Sequence, residues 1–328
     1  MKTCVLKSKR IFFLCIVAIL LIPAFGYSQE EDIAKYPSRP INYIHPYPPG
    51  TTGDMAQRLI SKEAEKFLGQ PIVIVNKPGA GGSLGVAALA ASKPDGYTLC
   101  HAAHSPLIGI PLLEKVPYHP LKDFKFIMQW GAFNMGFVVK GDSPFKSFKD
   151  LIAYARQNPK KITFGTAGAN SMPFVLIKQI AMKEGVQLTH IPYKATIEAQ
   201  TAVLGGHLTA GAGDFTYSMV EAGQLRLLLI LREEKAVEYP QTPVLKDLGY
   251  DFAFPTFFTV SAPKGLPEGI ARKLEDAFTK AMKEPGFIKG VKELHLPIVY
   301  RNSKELTDYI TYNYNYFEKL FKEVDLKE

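Results

Sequence analysis

Apolar and polar positions along this chain switch repeatedly between the strand period and the helix period. Residues 41–47 form an apolar run that ends in Pro46-Tyr47-Pro48-Pro49-Gly50, the pattern of a strand entering a turn. Met55, Leu59, Ile60, Phe67 and Leu68 then recur at helical spacing opposite Arg58, Lys62, Glu63 and Lys66, and Gly69 stops that helix. Residues 71–75 are a short continuous apolar strand of the kind buried in parallel sheets. A Gly-rich turn at 78–82 leads to an Ala-rich helix at 84–91, and Pro94-Asp95-Gly96 turns into a strand at 97–101. This alternation predicts a parallel sheet with helical crossovers.

The pattern then repeats. Strands are expected at 137–140, 162–165, 188–191 and 225–231, with helices at 147–157, 171–183 and 197–204. Ser147 with Asp150 three residues on is an acidic variant of the capping box. A second α/β lobe at 138–230 fits, and 29–137 with 231–328 make up the first. The remainder carries a strand at 257–262 and helices at 267–282 and 303–322; in the last, Leu306, Ile310, Asn313, Phe317 and Leu320 share one face and predict packing back on the first lobe. Without a low-complexity linker, the lobes are expected to be joined by two crossing strands.

The first residues stand apart. Lys2, Lys7, Lys9 and Arg10 precede an apolar stretch at 11–22, followed by Pro23 and the small residues Ala24, Gly26 and Ser28. That is the three-part form of a secretory signal peptide, here residues 1–28 with cleavage after Ser28. The stretch is short for a membrane span, and Cys15 lies inside it, which argues against a lipid anchor. Removal takes Cys4 and Cys15, leaves Cys100 alone, and lowers the formal charge of the 328-residue chain from +8 to +4 by deleting four basic residues and no acid. One thiol means no internal disulfide, and the remaining charge is too small and scattered for nucleic acid. The expected mature protein is a soluble periplasmic monomer.

Few motifs carry chemistry. Gly79-Ala80-Gly81-Gly82-Ser83-Leu84-Gly85 places Leu84 at the third glycine of a dinucleotide fingerprint and lacks the Lys-Ser/Thr of a P-loop, so it is read as a turn. His101 and His104 have no Cys, Asp or Glu at ligand spacing, and there is no Gly-x-Ser-x-Gly elbow; no metal, cofactor or catalytic residue is expected. Cys100 is read as a small core residue. Two loops remain: 47–54 (Tyr-Pro-Pro-Gly-Thr-Thr-Gly-Asp) and 166–171 (Thr-Ala-Gly-Ala-Asn-Ser). Each ends a strand and opens a helix, which aims unused N–H groups and a positive dipole end at the crevice above the sheet, a design for carboxylate or phosphate. Asp214 follows the small run Ala210-Gly211-Ala212-Gly213. It is either the cap of a helix starting near Phe215 or a cleft residue that reads a hydrogen-bond donor on the ligand.

A series of motifs joins these loops: Tyr36-Pro37-Ser38-Arg39-Pro40-Ile41, His45-Pro46-Tyr47-Pro48-Pro49-Gly50 with Asp54, Leu68-Gly69-Gln70-Pro71 and Asn76-Lys77-Pro78-Gly79-Ala80-Gly81-Gly82. Pro94-Asp95-Gly96-Tyr97-Thr98-Leu99, Pro192-Tyr193-Lys194, Leu204-Gly205-Gly206-His207, Ala222-Gly223-Gln224-Leu225-Arg226 and Ala262-Pro263-Lys264-Gly265-Leu266-Pro267 complete it. In this series the chain resembles the extracytoplasmic substrate-binding proteins of tripartite tricarboxylate transporters, the Bug-type receptors. The resemblance implies a two-lobed periplasmic binding protein fold of type II that closes on a small organic acid and delivers it to an integral-membrane permease driven by an ion gradient. Carried over from the family, the ligand-binding residues are Tyr47, Gly50, Thr51, Thr52 and Asp54 in the first lobe and Thr166, Ala167, Gly168, Asn170 and Ser171 in the second, with His104 and Ser105 past the third strand. The chain departs from the family pattern at Thr51-Thr52, where glycines are usual, at His104 and Phe174, and at 211–214, where Phe-Asp-Asn is usual. A periplasmic sensor and an exported enzyme with His104 as base are the alternatives.

Overall fold

The computed structural model describes residues 33–323 except 170, 234 and 237; the expected signal peptide, Cys4, Cys15 and Asn170 lie outside the described residues. The chain divides into two compact units, Met1–Tyr36 and Pro37–Glu328. Of the first, only a turn at 33–35 and the residue after it are described; all that follows concerns the second.

Its first half is strand, helix, strand, helix, strand, as the pattern requires: β1 (Ile41–His45), α1 (Thr52–Leu68), β2 (Ile72–Asn76), α2 (Ser83–Ala90) and β3 (Thr98–Cys100). Gly69 ends α1 in the left-handed conformation, with its N–H on the Glu65 carbonyl. After a π-type turn at Ser105–Gly109, a short α3 (Ile110–Leu113) leads to β4 (Phe124–Gly131), which the periodicity did not single out. The second half holds β5 (Met135–Lys140), α4 (Phe148–Gln157), β6 (Thr163–Ala167), α5 (Met172–Glu184), β7 (Thr189–Tyr193), α6 (Thr196–Leu204), β8 (Ala210–Asp214), α7 (Tyr217–Glu221) and β9 (Leu225–Ile230). The chain then returns through β10 (Phe258–Pro263) and finishes with α8 (Glu268–Ala281), α9 (Pro285–Glu293) and α10 (Ser303–Glu323). The Ser147/Asp150 capping box is formed in both directions at the start of α4.

Two five-stranded sheets result, in the orders β2-β1-β3-β10-β4 and β7-β6-β8-β5-β9. They are mixed rather than all parallel. The β-α-β strands pair in parallel, while β10 and β5, each arriving from the other lobe, pair antiparallel with both neighbours. This exchange creates the two crossings between lobes. One, at 132–134, is almost a continuation of β4 into β5, so the change of sheet precedes the boundary expected at 137/138. The other, 231–257, is long and mostly irregular, and Leu231 N–H donates to the Met135 carbonyl at 2.8 Å, tying it to the first.

The cores follow from the alternation. In the first lobe Tyr43, Trp130 and Phe258 are buried, with Trp130 stacked on Phe258 at 4.7 Å and its indole N–H donating to the Tyr43 hydroxyl. The helix α10 buries Leu306, Ile310, Asn313, Phe317 and Leu320, the face read from its spacing, and packs on β4. Cys100 is free and buried in β3, and burial pushes its thiol up. No described helix is long and apolar enough to cross a membrane.

Candidate functional site

Between the lobes lies a cleft of about 960 Å³. The β1–α1 loop brings Tyr47, Gly50, Thr51 and Thr52 to it, the turn after β3 brings His104 and Ser105, and the β6–α5 loop brings Ala167, Gly168 and Ser171. Asp214 reaches it from the end of β8. The two remaining described residues expected at the site, Asp54 and Thr166, stand behind their loops and not on the cleft wall.

Asp54 is consumed by its surroundings. Arg58 donates to both of its oxygens, from Nε at 3.0 Å and Nη2 at 3.1 Å; Asn76 Nδ2 adds 2.8 Å and the Gly50 N–H 3.0 Å. Burial alone would raise its carboxyl, but the Arg58, Asn76 and Gly50 hydrogen bonds outweigh it and bring it down to about 2. Gly50 needs its left-handed φ of +80° to point that N–H inward. Thr51 caps α1, accepting from Asp54 N–H at 3.3 Å and donating to the Pro48 carbonyl at 3.1 Å. The amides of Thr52 and Gly53, at the first helical positions, have no partner within the helix.

Behind this loop, Gln57 donates its amide to the Tyr43 and Ile44 carbonyls, so its oxygen accepts from His45 Nδ1 at 2.7 Å. That assigns the His45 proton to Nδ1 and leaves Nε2 facing the Thr51 hydroxyl at 3.3 Å.

The second loop is held by side-chain hydroxyls. Thr166, fully buried, donates its hydroxyl to the Gly168 carbonyl at 3.0 Å and accepts from Ser171 Oγ at 2.9 Å. Its remaining neighbour, His190 Nε2 at 2.8 Å, is then a donor. Ser171 caps α5, accepting from the Phe174 N–H, and Gly168 turns the chain at φ +94°. Pro173 follows Met172 in the first turn, so the Met172 amide is the open donor of that helix start.

His104 packs edge-on against Phe254 at 4.8 Å and Phe133 at 6.0 Å; burial lowers it to about 4, so it is neutral near pH 7. Burial also lowers His45, against the opposing Gln57 hydrogen bond. Asp214 is not a helix cap: α7 opens at Thr216 and has no side-chain cap. Residues missed in the sequence include Phe133, Met135, Thr196 and Phe254, together with Ala80 and Gly81 of the glycine-rich turn. Of these, the last two had a signal, their place in that glycine-rich run, and it was read as turn chemistry alone. No group of three or more described His, Cys, Asp or Glu residues could hold a metal.

A family model described as tripartite tricarboxylate transporter family receptor, TctC, matches residues 56–326. The UPF0065 protein in the gbd 5' region of Cupriavidus necator is 38% identical over 293 residues, 89% of each chain. Among solved structures, a TctC solute binding protein from Polaromonas without ligand is similar with a TM-score of 0.79 at 26% identity, over 88% of this chain and 100% of that one. MatC from Rhodopseudomonas palustris, with bound malate, shares the fold with a TM-score of 0.70 at 24% identity, over 87% and 99%.

Proposed function

Because the chain belongs to the tripartite tricarboxylate transporter receptor family, we propose that it is a periplasmic receptor that captures a small organic carboxylate in its cleft and delivers it to a membrane permease. One observation carries this reading: two helix starts, one from each lobe, open on a single cleft. Each offers main-chain N–H groups and the positive end of a helix dipole. Thr51, Thr52 and Gly53 would hold the carboxylate from the first lobe, and Ala167, Gly168 and the Met172 amide from the second, with His104 and Ser105 on the flank. Asp54 and Thr166 act by shaping the loops. The lobes would close on the ligand about the crossings at 132–134 and 231–257, as hinge proteins do. The solute-binding TctC protein supports a receptor rather than a catalyst.

The test is mass spectrometry of small molecules released on denaturing protein purified from the periplasm, with thermal shift against a broad panel of organic acids. A carboxylic acid is expected in the released fraction, and the same acid should raise the melting temperature by mass action. Absence of any released acid, with no stabilisation by the panel in a normally folded protein, overturns the reading. N-terminal sequencing of the same material should begin at Gln29.

A further inference from the structure

The cleft wall is one-sided in charge. Its described residues include no Lys or Arg, yet two acids, Glu114 and Asp214, line it. The two histidines on the wall, His45 and His104, are held neutral by burial. Glu114 stands on the exposed rim after α3, where water screens it. Asp214 sits deeper.

Its backbone is fixed from both sides. Gln200, buried in α6, donates Nε2 to the Asp214 carbonyl at 2.9 Å and accepts from the Thr216 N–H at 3.0 Å. Across the sheet Asp214 faces Met135, and the cleft residues beside Gly213 are Pro173 and Thr196, none of them charged. Among the described residues Asp214 forms no ion pair; one backbone hydrogen bond from Phe215 is its partner. Asp214 is exposed on the open cleft, so the surrounding protein desolvates its carboxyl only in part and pushes it upward.

We propose that Asp214 is the specificity-determining residue of the cleft, and that the ligand is a carboxylic acid carrying an ammonium group that reaches Asp214 while its carboxylate meets the first-lobe helix start. This rests on the carboxylate-receptor reading above. A zwitterion of this kind sets its carboxylate against the first-lobe helix start and its cation against Asp214. A plain dicarboxylate sets its second anion beside Asp214 with no Lys or Arg on the wall to relieve it, and must take up a proton there to bind. A hydroxy acid supplies a donor but no charge, and ranks between them.

Calorimetry with ω-amino, ω-hydroxy and ω-carboxy acids of three to six carbons tests this on the mature protein, on Asp214→Asn and on Asp214→Ser, each checked for a normal melting curve. In the wild type the amino acid of best-fitting length should bind at least tenfold more tightly than the dicarboxylate of equal length. Both variants should lose at least tenfold for the amino acid and gain for the dicarboxylate. If carboxylic acids bind but their order ignores the distal group, or the order survives both variants, the role of Asp214 falls and the receptor reading stands. If no acid of any length binds any of the three proteins, both fall together.

Discussion

The two loops that face the cleft do the same job with different chemistry. In the first lobe a carboxylate, Asp54, gathers donors from Arg58, Asn76 and Gly50. In the second a chain of side-chain hydrogen bonds runs from Ser171 through Thr166 to His190. Location explains the choice. Arg58 lies at the surface, its side chain 49% exposed, so the ion pair keeps part of its hydration while Asp54 is 3% exposed. Thr166 is fully enclosed in the second lobe, where an ion pair would lose its hydration on both sides and hydroxyls can be satisfied without that penalty. Both solutions keep cations off the cleft wall, because the one guanidinium near the first loop is spent on Asp54.

The difference predicts unequal fragility. Asp54→Asn should be the most damaging change in either loop. Each carboxylate oxygen accepts from two donors, so whichever one becomes an NH₂ faces donors that it repels. A loss of about 3 kcal/mol in urea unfolding is expected, at the low end for a broken buried pair because Arg58 retains water. Acid should act in the same direction. The folded carboxyl lies at about 2 against 3.8 for the free group, so its contribution is complete above pH 3.8 and is lost as pH falls toward 2. The gap corresponds to about 2 kcal/mol. Asp54→Asn should flatten stability against pH across that window; a wild-type slope that persists in the variant would show that the brace lies elsewhere.

The hydroxyl brace should fail more gently. Thr166→Val keeps the shape but removes a hydroxyl that serves Gly168, Ser171 and His190. About 2 kcal/mol is the expected cost, since the partners are left unsatisfied in a buried place. Thr166→Ser should restore most of it. A loss in Thr166→Ser with none in Thr166→Val would mean that the methyl group, and not the hydroxyl chain, matters.

The two loops also differ from the rest of the site in how far sequence could show them. Thr51, Ser171 and the Ser147/Asp150 box are local events, in which a side chain bonds a backbone three residues away, and their spacing is enough to see them. The strand β8 is the opposite case. Ala210-Gly211-Ala212-Gly213 has little strand propensity of its own and is held as a strand by β5 and β6 on either side. Asp214 therefore looked as much like a helix cap as a cleft residue, and the helix start at Thr216, with no side-chain cap, decides between them. Phe133 and Phe254 reach the cleft from the two crossings, far apart in sequence, and no local pattern marks such a meeting. The first crossing was placed late for a related reason: β4 and β5 run almost without a break, so no turn residue announces the change of sheet.

The smallest expected effect separates the loops most sharply. Thr51→Ala and Ser171→Ala each remove a helix cap, worth about 1 kcal/mol. Taken singly they should be hard to tell apart. In combination they should not, because the two hydroxyls are wired differently. Ser171 donates into Thr166, so Ser171→Ala and Thr166→Val delete the same bond from opposite ends. Their double variant should cost less than the sum of the singles by at least about 0.5 kcal/mol, as for residues in one network. Thr51 shares no partner with Thr166, and the two lie in different lobes. Thr51→Ala combined with Thr166→Val should therefore add to within about 0.5 kcal/mol. Additivity in the first pair would break the chain from Ser171 to Thr166 as a unit. Strong coupling in the second would mean that the loops communicate through the cleft without a ligand, and that their separate bracing does not keep them independent.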